Sequence, residues 1–230
     1  MTRMFIDGEW CDAASGATVG ATSPATGESL GQVAEGDRED ARRAIAAANA
    51  AFPAWAARTG FERAELLHRV ADACERRLDE LAHILTLDQG KPLNAEAKGE
   101  AGELVEFFRM AAEDGKRVQG IIPESAAPGR RVLLLRRPLG VLGLITPWNW
   151  PYTMPAEVLA PALACGNTVV WTPAPSTAVC SGVLAECIAE ADLPPGVFNV
   201  VLGPGPEVGD ESRPTPGRAR SPSRARRRPG

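Results

Sequence analysis

The sequence has no long apolar segment. No uninterrupted run among its 230 residues reaches the roughly 18 apolar residues that a membrane-spanning helix needs. The first ten residues, MTRMFIDGEW, also lack the apolar core of a secretory signal peptide. These absences predict a cytoplasmic protein with no membrane contact.

Cysteine and histidine are too scattered for a disulfide framework or a metal centre. The five cysteines are an odd number, none of them forms a CxxC motif, and only two histidines are present. We therefore predict no bound metal. Three cysteines fall on the apolar faces of predicted helices, where a free thiol usually packs as a small hydrophobe: Cys74, Cys180 and Cys187.

Leucine, isoleucine, valine, phenylalanine and methionine are absent from the last stretch, residues 210–230. Residues 211–230 hold seven arginines and one glutamate, a charge of +6, so the rest of the chain carries −10 towards the net charge of −4. A segment of this composition cannot bury an apolar face and is predicted to be a disordered basic tail. It is either an arm for an anionic polymer or out-of-frame translation of a GC-rich gene. The second interpretation is favoured because it also explains why the pattern of strands and helices stops there. Nucleic acid is therefore not an expected partner.

Residues 1–115 have the pattern of short strands followed by amphipathic helices. Asp7-Gly8 indicates a hairpin turn, and Asp37 and Thr59 are suited to cap helices. No chemical constellation stands out in these helices, so we interpret them as scaffold. Three helices are predicted, over 37–57, over 59–88 with one break, and over about 94–114.

Residues 116–138 predict a β-hairpin. Two β-prone stretches, Val118–Ile122 and Arg131–Leu135, flank a turn rich in Pro, Ser, Ala and Gly. Four consecutive apolar residues in the second stretch are too many to leave in contact with water, so a covering surface is expected.

Residues 139–209 alternate between strand and helix. This pattern predicts half of a doubly wound, Rossmann-like α/β sheet. We expect the first strand to be buried, the last to have an unpaired edge, one helix to begin near Pro155 and the next to be capped by Ser176. The predicted strands are Val141–Ile145, 167–171 and 197–202.

Asn149 lies between two tryptophans in the loop that follows the first of these strands. Loops at the carboxyl ends of parallel strands hold ligands, so its amide is a candidate hydrogen-bond donor to a substrate oxygen. The alternative is a loop asparagine that bonds its own backbone.

Four blocks, in this order, carry a family resemblance: LDQGKPLNAEA, ITPWNWP, APALACGNTVV and LPPGVFNVV. Together they resemble the aldehyde dehydrogenase superfamily over about residues 4–209. The resemblance implies oxidation of an aldehyde to a carboxylic acid with NAD or NADP as cofactor. A cysteine thiolate attacks the aldehyde, donors stabilise the oxyanion, hydride passes to the nicotinamide and a glutamate activates water. It also implies that the hairpin at 116–138 pairs with a neighbouring subunit.

The resemblance assigns roles to individual residues. Asn149 matches the oxyanion-stabilising asparagine, and Thr172 stands where the family usually has a lysine near the adenosine ribose, which leaves the choice between NAD and NADP open. The nucleophilic cysteine and the general-base glutamate have no equivalent, and Cys165 is not at the nucleophile's position. Cofactor-binding roles are implied for Ile145, Thr146, Pro147, Trp148, Thr172, Pro173, Ala174, Gly203 and Gly205.

These observations predict that the chain alone is an inactive fragment that binds its cofactor weakly. Two uncovered apolar features, the hairpin and the last strand, favour a homo-oligomer or an aggregate over a monomer. A non-catalytic interaction module, binding a family partner or an anionic polymer, is the main alternative. A related acyl-phosphate- or acyl-CoA-forming reductase is another, which the PWNWP block disfavours.

Overall fold

The computed structural model describes residues 1–209 as a mixed α/β fold. The predicted disordered tail at 210–230 lies outside the described residues. The strands are β1 Met4–Ile6, β2 Glu9–Cys11, β3 Thr18–Thr22, β4 Ser29–Ala34, β5 Val141–Ile145, β6 Thr168–Thr172 and β7 Phe198–Val200. The helices are α1 Arg38–Ala57, α2 Gly60–Arg76, α3 Leu78–Gln89, α4 Lys98–Gly115, α5 Thr153–Ala164 and α6 Ala178–Ala189, with single π turns at Leu93–Ala97 and Gly205–Gly209 and a 3₁₀ turn at Pro175–Thr177.

The main sheet has five strands in the order β2-β1-β7-β6-β5. Strands β5, β6 and β7 are parallel and are joined by α5 and α6, as the alternating pattern predicts. The hairpin of β1 and β2 extends this sheet, since β1 pairs antiparallel with β7. A separate antiparallel pair, β3 and β4, precedes the first helix.

Local capping explains where the first helices begin and end. Asp37 accepts hydrogen bonds from the backbone of the first turn of α1, and Thr59 forms a reciprocal capping box with Glu62 at the start of α2. The expected break separates α2 from α3 at Arg77. Gly90 ends α3 in the left-handed conformation with φ of 79°. These caps confirm the helix boundaries that the sequence predicts.

The core lies between the parallel strands and the helices. Every residue of β6 is buried, with α1 and α5 packed against it. Helix α4 packs against both α2 and α5, and buried Trp55 of α1 donates its indole N–H to the carbonyl of Leu163 at 3.2 Å. Within residues 1–209, no helix combines the length and apolar character needed to cross a membrane.

Two expectations about the sheet edges are wrong. Strand β5 is not buried; it is the outer strand, and Ile145 at its end is half exposed. Strand β7 has no open edge, because Phe5 of β1 pairs with Val200 and the backbone N–H of Asp7 donates to the side chain of Asn199 at 3.0 Å. The N-terminal hairpin therefore covers the edge that the sequence leaves unpaired.

Two local expectations also need correction. The stretches Val118–Ile122 and Arg131–Leu135 do not form a hairpin of strands; Ile121 and Leu134 make one antiparallel bridge. Ser176 does not cap α6, since it lies in the preceding 3₁₀ turn and no local side chain caps the helix. The carboxylate of Asp88 in α3 accepts a backbone N–H of the first turn of α6 instead.

Candidate functional site

The carboxyl ends of the three parallel strands meet at one end of the sheet. Ile145 at the end of β5 lies opposite Thr172 at the end of β6. The backbone N–H of Thr146 continues this ladder by donating to the carbonyl of Thr172 at 3.2 Å. On the other side, the N–H of Val201 donates to the carbonyl of Trp171 at 2.9 Å. Ligands of open α/β sheets bind at this end.

Two buried threonine hydroxyls at these strand ends differ in their partners. The Thr146 hydroxyl accepts a hydrogen bond from the indole N–H of buried Trp171 at 2.9 Å, so it joins β5 to β6. The Thr172 side chain is only 1% exposed, and its hydroxyl has no hydrogen-bond partner within the described residues. A buried, unsatisfied hydroxyl is costly, so it is an available partner for a ligand hydroxyl.

The turn after β7 brings backbone close to the same edge. Gly203 adopts a φ of 156°, and a Cβ placed there would lie 2.3 Å from the carbonyl oxygen of Gly36, so only glycine fits. Gly203 and Pro173 line a cavity of about 220 Å³, and Glu35 is the only ionisable residue that lines it in the described part of the chain. Ala174 is half-buried beside Pro173, whereas Gly205 is exposed and does not line this cavity.

The loop after β5 presents its side chains to solvent. Pro147, Trp148, Asn149 and Trp150 are all exposed. The side-chain amide of Asn149 makes no hydrogen bond to any residue of the described chain, its own backbone included. It is therefore free to donate to a ligand, in contrast to the loop asparagine that bonds its own backbone.

A buried ion pair holds the backbone of this loop. Lys91 and Glu100 are 6% and 1% exposed, and the ammonium lies 2.5 Å from a carboxylate oxygen. The Lys91 ammonium also donates to the backbone carbonyl of Asn149 at 3.2 Å and lies 3.8 Å from the ring centroid of Trp150. Lys91 thus contacts both residues at the centre of the loop.

The second oxygen of Glu100 fixes the far end of the loop. It accepts the backbone N–H groups of Tyr152 at 2.9 Å and Thr153 at 3.3 Å, at the start of α5. A carboxylate is favoured at a helix N-terminus, where backbone N–H groups lack partners. The loop is therefore tied at Asn149 by Lys91 and at Tyr152 and Thr153 by Glu100.

A larger cavity of about 460 Å³ adjoins the loop at Trp148. Pro175 lines both this cavity and the smaller one beside Gly203. Asp88 lies on its wall and accepts the backbone N–H of Cys180 in the first turn of α6 at 2.8 Å. Burial raises the pKa of the Asp88 carboxyl, and this backbone hydrogen bond partly opposes the shift.

None of the cysteines is placed to attack a carbonyl bonded to Asn149. Helix α5 starts beside the loop and ends at Ala164, so its 12 residues place Cys165 about 18 Å further along the helix axis. Burial raises the pKa of the Cys180 thiol well above its usual value, which suppresses the nucleophilic thiolate. Three cysteines are buried among helices: Cys74, Cys180 and Cys187.

The comparisons with known proteins agree with this architecture. A profile of the aldehyde dehydrogenase family matches residues 10–216. The chain belongs to the aldehyde dehydrogenase family. A glutarate-semialdehyde dehydrogenase of Pseudomonas aeruginosa is 43% identical over 209 residues, and the match covers 91% of this chain and 43% of that protein.

Two further aldehyde dehydrogenases extend the comparison. The E. coli succinate-semialdehyde dehydrogenase named for NADP(+) is also 43% identical over 209 residues, with the same coverage of both chains. The crystal structure of a Staphylococcus aureus betaine aldehyde dehydrogenase in complex with NAD+ superposes with a TM-score of 0.88 at 34% identity, over 92% of this chain and 42% of that one. The chain thus spans less than half the length of these relatives.

Lys91 and Glu100 are the residues that sequence reasoning missed. Both lie in the helical region that we interpreted as scaffold, and Lys91 entered only as a letter of the LDQGKP block. One signal was present: Glu100 falls on the apolar stripe of its helix, three residues after Ala97 and four before Leu104. A charge on a buried stripe indicates a buried partner.

Proposed function

We propose that this chain provides the cofactor-binding half and the oxyanion-stabilising amide of an aldehyde dehydrogenase that oxidises an aldehyde to a carboxylic acid. One observation carries this proposal. The Asn149 amide is exposed and unpartnered within residues 1–209, on a loop whose backbone is fixed by a buried ion pair. Donors held in place before reaction stabilise developing negative charge most effectively.

In this reaction Asn149 acts on the carbonyl oxygen of the aldehyde. Its amide N–H donates to that oxygen as attack on the carbonyl carbon turns it into an oxyanion. Lys91 and Glu100 are positioning residues, because both are buried and both bond the loop backbone. Bound NAD or NADP would supply the acceptor for the hydride that leaves the aldehyde carbon.

The strand ends suit the adenosine part of such a cofactor. The unsatisfied hydroxyl of Thr172 can bond a ribose hydroxyl, and Gly203 permits close approach of backbone. Ile145, Thr146, Pro147 and Trp148 would line the site along the loop, with Pro173, Ala174 and Gly205 beside the adenosine. Thr172 gives no positive charge to a 2′-phosphate, and the proposed cofactor is NAD or NADP.

The chain alone should not turn over aldehyde. The reaction needs a thiolate and a base close to the oxyanion donor. The three buried cysteines and the distant Cys165 cannot provide the thiolate, and Cys11 lies in β2, at the opposite edge of the sheet from β5. The substrate class that the relatives' names suggest is a semialdehyde, and we carry this class to the intact enzyme.

We further propose that different parts of the chain have different roles. Residues 1–115 and 139–209 belong to the cofactor domain, and 116–138 is an association segment that pairs with another subunit. The support is the exposure of the apolar residues of the segment, with Leu133 at 63% and Leu135 at 61%. A chain with this surface should form a homo-oligomer or aggregate rather than a monomer.

A fusion enzyme tests the catalytic proposal. Residues 1–209 would be joined to the matching remainder of the E. coli relative and assayed for NADPH formation with succinate semialdehyde. We expect turnover, and Asn149→Ala should lower kcat by roughly 100- to 1,000-fold. An active fusion that keeps its kcat in Asn149→Ala would contradict the assigned role.

The unfused chain provides the complementary assay. With the same aldehyde and either cofactor, no NADH or NADPH should form, and calorimetric titration should show binding weaker than micromolar. Robust turnover by the unfused chain would require a nucleophile other than its five cysteines as placed here.

A further inference from the structure

A basic cavity lies at the opposite end of the sheet from Asn149. It has a volume of about 410 Å³, within the range of small-molecule sites, and is formed where α5 ends and α2 begins. Among residues 1–209, no aspartate or glutamate lines it, although five basic side chains do: Arg58, Arg63, Lys116, Arg136 and Arg137.

Arg63 forms a rigid part of the cavity wall. Its Nε donates to the backbone carbonyl of Ala164 at 2.8 Å, and Nη1 donates to the carbonyl of Arg58. The remaining nitrogen, Nη2, has no hydrogen-bond partner in the described part of the chain. Partial burial lowers the pKa of Arg63, but an arginine keeps its charge at neutral pH. A fixed guanidinium with an unused donor is suited to bind an oxyanion.

Arg136 and Arg137 add positive charge that nothing in residues 1–209 neutralises. Both are exposed and neither forms an ion pair with a described residue, whereas Arg77 alone pairs with three glutamates. They lie near the carboxyl end of the association segment, shortly before β5. Lys116 is less available, because its ammonium lies 2.7 Å from Glu113.

Neighbouring carboxylates offset only part of this charge. Glu62 is engaged in the capping box of α2, where it accepts the backbone N–H of Thr59 at 2.7 Å. Glu113 is shared between Lys116 and His68. The cavity also opens at Gly60 and Phe61, the first residues of the 17-residue helix α2, whose N-terminus favours anions.

One wall of the cavity is apolar. The ring of Phe61 is 65% exposed, and Val118 and Pro138 also line the cavity. An exposed aromatic ring beside several guanidinium groups matches a ligand with a flat apolar part and an anionic group. We infer that this cavity binds a small organic phosphate, with the phosphate held by Arg63, Arg136 and Arg137 and the organic part against Phe61. The inference is independent of the aldehyde site, and it places the cavity at the two ends of the association segment, apart from the exposed leucines that we propose another subunit covers.

Cys165 offers a local readout, because its thiol lines this cavity and is partly accessible. The rate of its alkylation by iodoacetamide would be followed by mass spectrometry with phenyl phosphate as the probe. Cys11, also partly accessible but in β2 on the far edge of the sheet, serves as internal reference. Phosphate binding to arginines elsewhere would leave the Cys165 rate unchanged.

We expect phenyl phosphate to slow alkylation of Cys165 several-fold and to leave Cys11 unaffected. The double variant Arg136→Gln/Arg137→Gln should raise the half-protecting concentration about tenfold, since it removes charged hydrogen bonds. The matched control Arg130→Gln/Arg131→Gln removes equal charge from the same segment outside the cavity and should have no effect. Phe61→Ala should weaken protection by phenyl phosphate but not by inorganic phosphate.

Three results would overturn the inference. One is the absence of saturable protection of Cys165. Another is an equal loss of protection in both double variants, which would mean diffuse attraction by charge. The third is protection by phenol as strong as that by phenyl phosphate, which would mean that the cavity recognises only the ring.

Discussion

The loop at residues 146–153 and the segment at 116–138 are both irregular and both expose large apolar side chains, yet they are held very differently. The loop is tied by Lys91 and Glu100 to the helical core. Within the segment, the backbone of Ile121 and Leu134 forms one antiparallel bridge. The exposed side chains of the loop therefore project from a backbone tied to the core, whereas those of the segment project from a backbone joined by one bridge.

The two regions differ in what holds the backbone beneath their exposed side chains. The loop exposes Trp148 and Asn149 on a backbone in which buried charges bond the Asn149 carbonyl and the N–H groups of Tyr152 and Thr153. That backbone needs no further partner to keep its shape. In the segment, the leucines are exposed and the backbone has few hydrogen bonds to other described residues, which supports the proposal that another subunit covers it.

Breaking the ion pair should have the largest effect. Glu100→Gln leaves the ammonium of Lys91 buried without its counter-charge, which typically costs about 3–5 kcal/mol. Urea unfolding followed by circular dichroism would measure the change in the free energy of unfolding. Glu103→Gln is the matched control, because Glu103 lies on the same helix but in solvent, bonded to the Thr153 hydroxyl at 2.9 Å. Equal, small changes in both variants would mean that the pair does not hold the loop.

Removing the acceptor at the start of α6 should have an intermediate effect. Asp88→Ala leaves the N–H of Cys180 without its carboxylate and should cost about 1–2 kcal/mol, the usual loss for a helix cap. Asp88→Asn keeps a side-chain oxygen and should cost less. The free energy of unfolding of both variants would be compared with that of the wild type.

The pH dependence of the stability difference between the wild type and Asp88→Asn gives a further test. Because burial raises the pKa of Asp88, the folded protein holds this proton to higher pH than the unfolded chain does. The wild type is therefore most favoured over the variant below the ordinary aspartate pKa of about 3.9, and loses this advantage as pH rises through the folded value. Unfolding titrations from about pH 4 to pH 7 would show it. A difference in the free energy of unfolding that grows in favour of the wild type as pH rises would contradict this expectation.

Changing the association segment should have the smallest effect on stability. Leu133→Ser combined with Leu135→Ser replaces two exposed side chains and should alter the free energy of unfolding by less than about 0.5 kcal/mol. Self-association should fall, as light scattering over a range of concentrations would show. A large loss of stability would mean that these leucines pack within the chain itself.

Local signals made much of the fold predictable. Asp37, the Thr59–Glu62 capping box and Gly90 act within one helical turn, so the sequence pattern contains all that they need. The alternation of strands and helices after Val141 likewise predicts the parallel order. The interior placement of β7 was not accessible in this way, because its partner β1 comes from the opposite end of the described chain.

The sequence indicates candidate residues for the site but not the tertiary contacts that hold their loop and helix in place. Asn149 was singled out by its place after a predicted strand, whereas Thr172 was singled out only by the family resemblance. The loop anchors and the α6 cap depend on tertiary contacts, since Asp88 lies 92 residues before Cys180 and Glu100 lies 52 before Tyr152. No periodicity in the sequence encodes which distant carboxylate satisfies a given backbone N–H group.

Amide hydrogen exchange of the two regions in one sample tests most directly the claim that the loop is preorganised and the segment is not. In the wild type, the N–H groups of Tyr152 and Thr153 should exchange at least about 100-fold more slowly than in an unfolded peptide, while most amides between 118 and 135 exchange without protection. In Glu100→Gln, protection at Tyr152 and Thr153 should be lost and the segment unchanged. Equal exchange in the two regions of the wild type, or loop protection that survives Glu100→Gln, would contradict the account.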